Sequence, residues 1–130
     1  MIERLLAPIR RRIDNMIGRA IVRLINDATA LQSAQITLLS DNGGILSPEV
    51  RDHCERFQQY GYTAVPLPGA QAVVVFVGGN RDHPMITNID DKRHRPTDLA
   101  AGEVQIYDHL GKFIYLKEDG TLHIKAPKIH

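Results

Sequence analysis

The sequence predicts an all-β protein with one N-terminal helix, in which a small Greek-key barrel is followed by a short glycine-punctuated meander. Three observations predict it. A basic, apolar-periodic segment opens the chain. Five short runs rich in β-branched residues follow. Finally Gly102, Gly111 and Gly120 cut the last stretch at nine-residue intervals into GEVQIYDHL, GKFIYLKED and GTLHIKAPKIH. Each of these pieces is an alternating strand followed by turn chemistry. Three strands of that size cannot enclose a core alone. They suit either a plain edge meander or a prism in which neighbouring copies close the core.

The opening segment MIERLLAPIRRRIDNMI places Ile2, Leu5, Leu6, Ile9, Ile13, Met16 and Ile17 at helical spacing, with Arg4, Arg10, Arg11 and Arg12 mostly on the other side. An amphipathic helix is expected over 1–17, with Pro8 in its first secure turn and Gly18 ending it. Such a helix could lie on an anionic membrane, but packing its stripe on the protein or on a partner is the commoner case.

From Gly18 the period shortens. GRAIVRLIN and LQSAQITLL read as a hairpin across NDATA, and SDNGGILSPEV reads as a loop. Val50, Cys54, Phe57, Tyr60 and Tyr62 are assigned to a strand bent or bulged at Gly61. PLPG turns into AQAVVVFVGG, whose run Val73, Val74, Val75, Phe76 and Val77 reads as buried on both faces. The expected barrel core is therefore Val73, Val75, Phe76 and Val77. With the strand MITNI, residues 18–92 suit an OB-fold-like Greek-key barrel. Residues 93–101 form a polar connector, and 102–130 hold the three glycine-punctuated strands. Their apolar alternation falls on Val104, Ile106, Ile114, Leu116, Leu122 and Ile124.

Composition narrows the functions. The 130 residues suit one domain with appendages, and the net charge of +1 argues against a dedicated nucleic-acid binder. A single cysteine, Cys54, leaves no internal disulfide framework and fits assembly in a reducing cytoplasm. No window approaches the ~18–20 apolar residues of a membrane span, and the start lacks a secretory cleavage pattern.

Candidates for chemistry are weak. Asp52, His53, Cys54 and Glu55 look like a catalytic cluster, but neighbours on a strand face opposite ways, so His53 cannot activate Cys54 and a buried structural thiol is expected. Asp82 with His83, or Asp90 and Asp91 with His94, lack metal-ligand spacing. The alternative function for an OB-type barrel is single-stranded nucleic-acid binding, for which Phe57, Tyr60 and Tyr62 with Arg51 and Arg56 form a thin platform. No segment remains for a wall-degrading domain with two opposed carboxylates. The expectation is a non-enzyme, with no catalytic residue, cofactor or metal.

The stretch ERFQQYGYTAVPLPGAQAVVVFVGGNRDHPMITNIDD followed by RPTDLAAGEVQIYDHLG resembles the phage Mu-type baseplate spike proteins, the baseplate assembly protein V family. YGYTAVPLPGA, the double glycine before RDHP, and RP-x-x-L-x-x-GE-V-x-I-Y occur together and in order. The resemblance implies a homotrimeric central spike of a contractile tail, in which an OB-fold-like Greek-key barrel is followed by the start of a trimeric intertwined β-helix, a triple-stranded shaft over 102–130 whose expected trimer core is Val104, Ile106, Ile114, Leu116, Leu122 and Ile124. Its collar would dock on the baseplate hub protein and its shaft would meet the host outer membrane, in a virion assembled in the host bacterial cytoplasm. Family members continue to an apex that often carries a His-x-His pair around iron; His123 and His130 form no such pair, so metal binding is not carried over. From Gly102 the strands would stack to about 15–20 Å, short of a ~30 Å bilayer core. The expectation is a blunt face near Ile124 and Ile129, either the stump of a longer chain or a docking site for a separate tip protein.

Overall fold

The structure, a computed structural model, describes residues 2–39 and 49–130. The chain divides into two units, Met1–Asp91 and Lys92–His130. In the first, helix α1 (Ile2–Asp14) precedes strands β1 (Ile17–Asn26), β2 (Gln32–Leu38), β3 (Glu49–Arg56), β4 (Gln71–Phe76) and β5 (Pro84–Asp90), with a 3-10 turn at Val77–Gly79. Most of the loop expected around SDNGGILSPEV lies outside the described residues, and its last two residues open β3.

The five strands close into a barrel in the order β1-β2-β3-β5-β4, with β4 returning to β1. Every pairing is antiparallel except a short parallel one, Glu55 with Met85 and Arg56 with Ile86. This is consistent with the OB-like barrel that the sequence predicts. Strand β1 is long because it serves two neighbours. Its first half, Ile17 to Ile21, pairs with β4, and Ala20 onward pairs with β2.

The interior holds Ala20, Val22, Ala34, Ile36, Leu38, Cys54, Ala70, Ala72, Val74, Phe76 and Ile86. Four alanines in this set mark how narrow the lumen is, and Phe76 is its largest fully buried side chain. Gly18 makes room for that ring: a Cβ there would stand 3.3 Å from Phe76 Cε2. Two buried polar side chains are satisfied. Thr37 Oγ1 accepts from Arg23 Nε at 3.0 Å, while Gln32 donates to Asp27 and to the Ala64 carbonyl and accepts from Arg56. Arg56 also donates to the Ala64 carbonyl, so the segment after β3 is pinned to the barrel wall.

Three irregularities set which side chains enter this lumen. In β1, Val22 faces Ile36 but Leu24 faces Gln35, so Arg23 is an extra residue. In β3, Asp52 and His53 together oppose Gln35, with His53 at φ 55°. In β5, Thr87 is extra between Ile86 and Asn88. Each bulge reverses the alternation beyond it. Leu24 therefore faces solvent while Ile25 packs on the core, and Ile89 packs there in place of Asn88.

The structure corrects four sequence expectations. First, β4 is buried on one face: Phe76 and Val74 are fully buried, whereas Val75 is half-buried and Val73 and Val77 are 39% and 59% exposed in the single chain. Strict alternation holds through Val74, and Val77 has already left the strand for the 3-10 turn. Second, α1 stops at Asp14, three residues before the expected end, because Ile17 pairs with Val75 and Met16 O accepts from Phe76 N at 2.8 Å. Ladder pairing overrides helical periodicity there. Third, Gly18 lies inside β1 rather than capping the helix. Fourth, β3 ends at Arg56, so Tyr60 and Tyr62 are exposed on an irregular segment and Gly61 belongs to a turn closed by Tyr62 N to Gln59 O.

The second unit is a meander of β6 (Val104–Tyr107), β7 (Phe113–Leu116) and β8 (Leu122–Lys125), in spatial order β6-β7-β8. Its nine-residue beat is a four-residue strand plus a five-residue turn. In one turn Gly111 N donates to Asp108 O and Asp108 N to Lys112 O; in the next Gly120 N donates to Lys117 O and Lys117 N to Thr121 O. Gly111 and Gly120 sit at φ 87° and 85°, the left-handed position that a type I turn with a G1 bulge requires. Acidic side chains lock both turns. Asp108 accepts from the Leu110 and Lys112 amides and pairs with the Lys112 ammonium, and Asp119 accepts from the Thr121 amide. Glu103 ties the meander together by accepting from Tyr115 Oη, from Ala100 N and from Glu118 N.

Two outcomes follow from this packing. Phe76→Ala should lower barrel stability by about 3–5 kcal/mol, against less than about 1 kcal/mol for Val73→Ala, in urea unfolding followed by circular dichroism. Equal losses would place Val73 in the core after all. The Tyr115 hydroxyl holds the Glu103 carboxyl below its ordinary pKa, with the Glu118 and Ala100 amides adding to the effect, and Tyr115 itself is pushed up to about 12. A depressed carboxylate stabilises the fold fully above its ordinary pKa, and this contribution is lost as pH falls through the depressed value. Tyr115→Phe should thus raise the Glu103 midpoint in a carbon-detected NMR titration; an unmoved midpoint would show that the hydroxyl is not what holds it down.

Candidate assembly surface

The alternation of β6, β7 and β8 sorts their side chains onto two faces, and the register aligns them into rows. On one face Val104, Leu116 and Leu122 form a row, and Ile106, Ile114 and Ile124 form the next. On the other face lie Gln105, Tyr115 and His123, then Tyr107, Phe113 and Lys125. The second face covers itself. Phe113 and Tyr115 meet edge to face at 6.2 Å, Lys117 Nζ stands 5.8 Å over the Tyr115 ring, and Lys125 Nζ stands 6.0 Å over Phe113.

The aliphatic face has no such cover within its unit. Its six side chains are each 41–59% exposed, including those of the central strand β7. These are the six residues expected to meet in a trimer core. The structure brings them together as two straight files on one side of one sheet. Cross-strand aliphatic neighbours stabilise the sheet by a few tenths to 1 kcal/mol each, yet leave the outward half of each side chain in water. A contiguous patch of this kind marks an interaction site more than a monomer surface.

A second apolar patch was missed as a surface. Ile17 lies directly opposite Val75 on the outer face of β1 and β4, on the same side as Val73. The valine run does carry two apolar faces, and only the inner one is filled within the single chain. The uninterrupted run was the available signal.

The chemical candidates resolve differently. Cys54 is fully buried, its Sγ 3.6 Å from the Arg51 carbonyl oxygen. Burial first, and Asp52 second, push the thiol up to about 11, which keeps it protonated at neutral pH. Among the described residues no three His, Cys, Asp or Glu side chains are grouped to hold a metal ion. The His94 ring meets the His109 ring at 5.9 Å. Phe57, Tyr60 and Tyr62 are exposed, but both arginines of that platform are engaged: Arg56 with Gln32 and Ala64, Arg51 with Glu49 and the Arg81 carbonyl.

Residues 19–93 match the family described as Bacteriophage Mu Gp45, N-terminal. Baseplate puncturing device gp45 of Escherichia phage Mu is 43% identical over 128 residues, which cover 98% of this chain and 61% of that protein. Mu-like prophage FluMu protein gp45 of Haemophilus influenzae is 39% identical over 127 residues, 98% of this chain and 65% of its own length. The chain thus spans less than two thirds of either relative. Identity at this level across helix, barrel and meander, with the family match over most of the barrel, establishes that the chain belongs to the Bacteriophage Mu Gp45 family of Mu-type baseplate spike proteins.

Proposed function

We propose that this chain is a structural, non-enzymatic part of the central spike of a contractile tail baseplate, in which three copies join to help puncture the host outer membrane. The observation that carries the reading is the uncovered aliphatic face of β6, β7 and β8. Three such sheets, related by a threefold axis, form a prism with Val104, Ile106, Ile114, Leu116, Leu122 and Ile124 inside and the cation-covered aromatic faces outside. The Mu relative named as a baseplate puncturing device supports the same role.

The energetics favour it. Burying the exposed half of six aliphatic side chains is worth on the order of 5 kcal/mol gross per chain, at roughly 1.5–3 kcal/mol for each fully buried side chain. Association and side-chain ordering offset part of this. The outer patch of Ile17, Val73 and Val75 gives the barrels a further surface to bury in the same assembly. Function then resides in stiffness: short strands, locked turns and a dry interior resist bending when the contracting sheath drives the spike forward. The barrel is the part suited to docking on the hub protein of the baseplate, and the particle, not the membrane, is where the protein resides.

Native mass spectrometry of the intact chain should give three copies. Ile114→Asp and Leu122→Asp should each reduce it to a monomer with retained β-type circular dichroism, because three carboxylates would otherwise be buried side by side without partners. A monomeric wild type, or trimers from both variants, would sink the proposal.

A further inference from the structure

Helix α1 buries none of its residues. Its anchors on the barrel lie at its C-terminal end: Arg81 donates to Asn15 Oδ1 at 3.3 Å, Phe76 N donates to Met16 O, and the Arg12 backbone rests on Gly79, where an added Cβ would be 2.7 Å from Arg12 O. Along the rest of the helix Ile2, Leu6 and Ile9, and next to the Arg12 anchor Ile13, are 37–72% exposed. They are spaced four, three and four apart, a mean near the 3.5-residue period of a coiled-coil seam.

Read as heptads, Ile2 and Ile9 take d positions and Leu6 and Ile13 take a positions. Leucine at a with isoleucine at d, or isoleucine at both, disfavours two-stranded assemblies and favours three or more strands. The other residues agree. Arg4 and Arg11 fall at f, farthest from the seam. Pro8 falls at c, so its missing backbone donor and ring clash lie on the outer face. Between parallel helices the g-to-e′ pair within α1 is Leu5 with Arg10, so no two arginines face each other there and the Arg10 stem lies along Leu5.

We propose that α1 is a self-association element in which three copies of this chain join Ile2, Leu6, Ile9 and Ile13 in a parallel three-helix seam. The inference rests on the trimer reading above, since threefold symmetry is what makes the helices parallel. Two heptads are too short to hold alone. Tethering to an assembled trimer raises the effective concentration of the helices to about the millimolar range, which makes so short a seam workable.

The test is thiol cross-linking of the full chain. Ile9→Cys places a thiol in the seam at an exposed site, Arg11→Cys places one on the outer face, and native Cys54 remains buried as background. Under mild oxidation Ile9→Cys should yield covalent dimers from about two of every three chains, since three thiols leave one unpaired, and Arg11→Cys should yield none above wild type. A trimeric mass with no more cross-linking from Ile9→Cys than from Arg11→Cys would overturn the seam while leaving the trimer intact; a monomeric mass would overturn both. Flotation of the wild type with phosphatidylserine vesicles, lost in Ile9→Asp, would also overturn it, by assigning the stripe to a lipid surface.

Discussion

The barrel depends on β1 being shared. Its first half closes the cylinder against β4 and its second half opens the hairpin with β2, with Ala20 paired to both Leu38 and Ala72. A strand with two partners on a small circumference must bend sharply, and the extra residue at Arg23 provides that bend. The same closure sets the bore. Alanine at 20, 34, 70 and 72 and glycine at 18 are what allow one phenylalanine and a few branched aliphatics to fill the lumen without overpacking.

The meander works on an opposite principle. It has no enclosed interior, and each strand is only four residues long. Its order comes from turns held by carboxylates and from one hub, Glu103, that gathers a hydroxyl and two amides. This leaves a sheet preorganised before any neighbour arrives, so little backbone entropy remains to be lost when its aliphatic face is covered.

Much of this was legible in the sequence where period alone governs. The nine-residue glycine beat located the three strands of the meander, and the alternation within each assigned Val104, Ile106, Ile114, Leu116, Leu122 and Ile124 to one face. Phe76 was legible as core because it is large and sits in the most apolar run. What was not legible has two physical causes. Bulges at Arg23, Asp52–His53 and Thr87 switch facing within a strand, and no residue-type signal announces them, so the sequence leaves open that Ile25 and not Leu24 turns to the core. The second cause is that an apolar run does not say what covers it. Val73, Val75 and Val77 were assigned to the barrel's own interior although only Val74 and Phe76 point there. The helix boundary was missed for a related reason, since Met16 and Ile17 continue the helical stripe yet are captured by strand pairing.

The pairing of a four-residue strand with a five-residue glycine turn has a consequence for how such a spike can change in evolution. Each turn is closed by its own backbone hydrogen bonds and open space surrounds Gly102, Gly111 and Gly120, while Glu103 links the first module to the second. Duplication of nine codons beyond that linked pair therefore adds one strand to the sheet, about 4.8 Å, without disturbing those already there. It also reverses the direction in which the chain leaves the sheet, whereas eighteen codons restore it. Length in this architecture is a digital trait. Meanders built on it should differ by whole strands, and those whose chain leaves the sheet in the same direction should differ by even numbers of them.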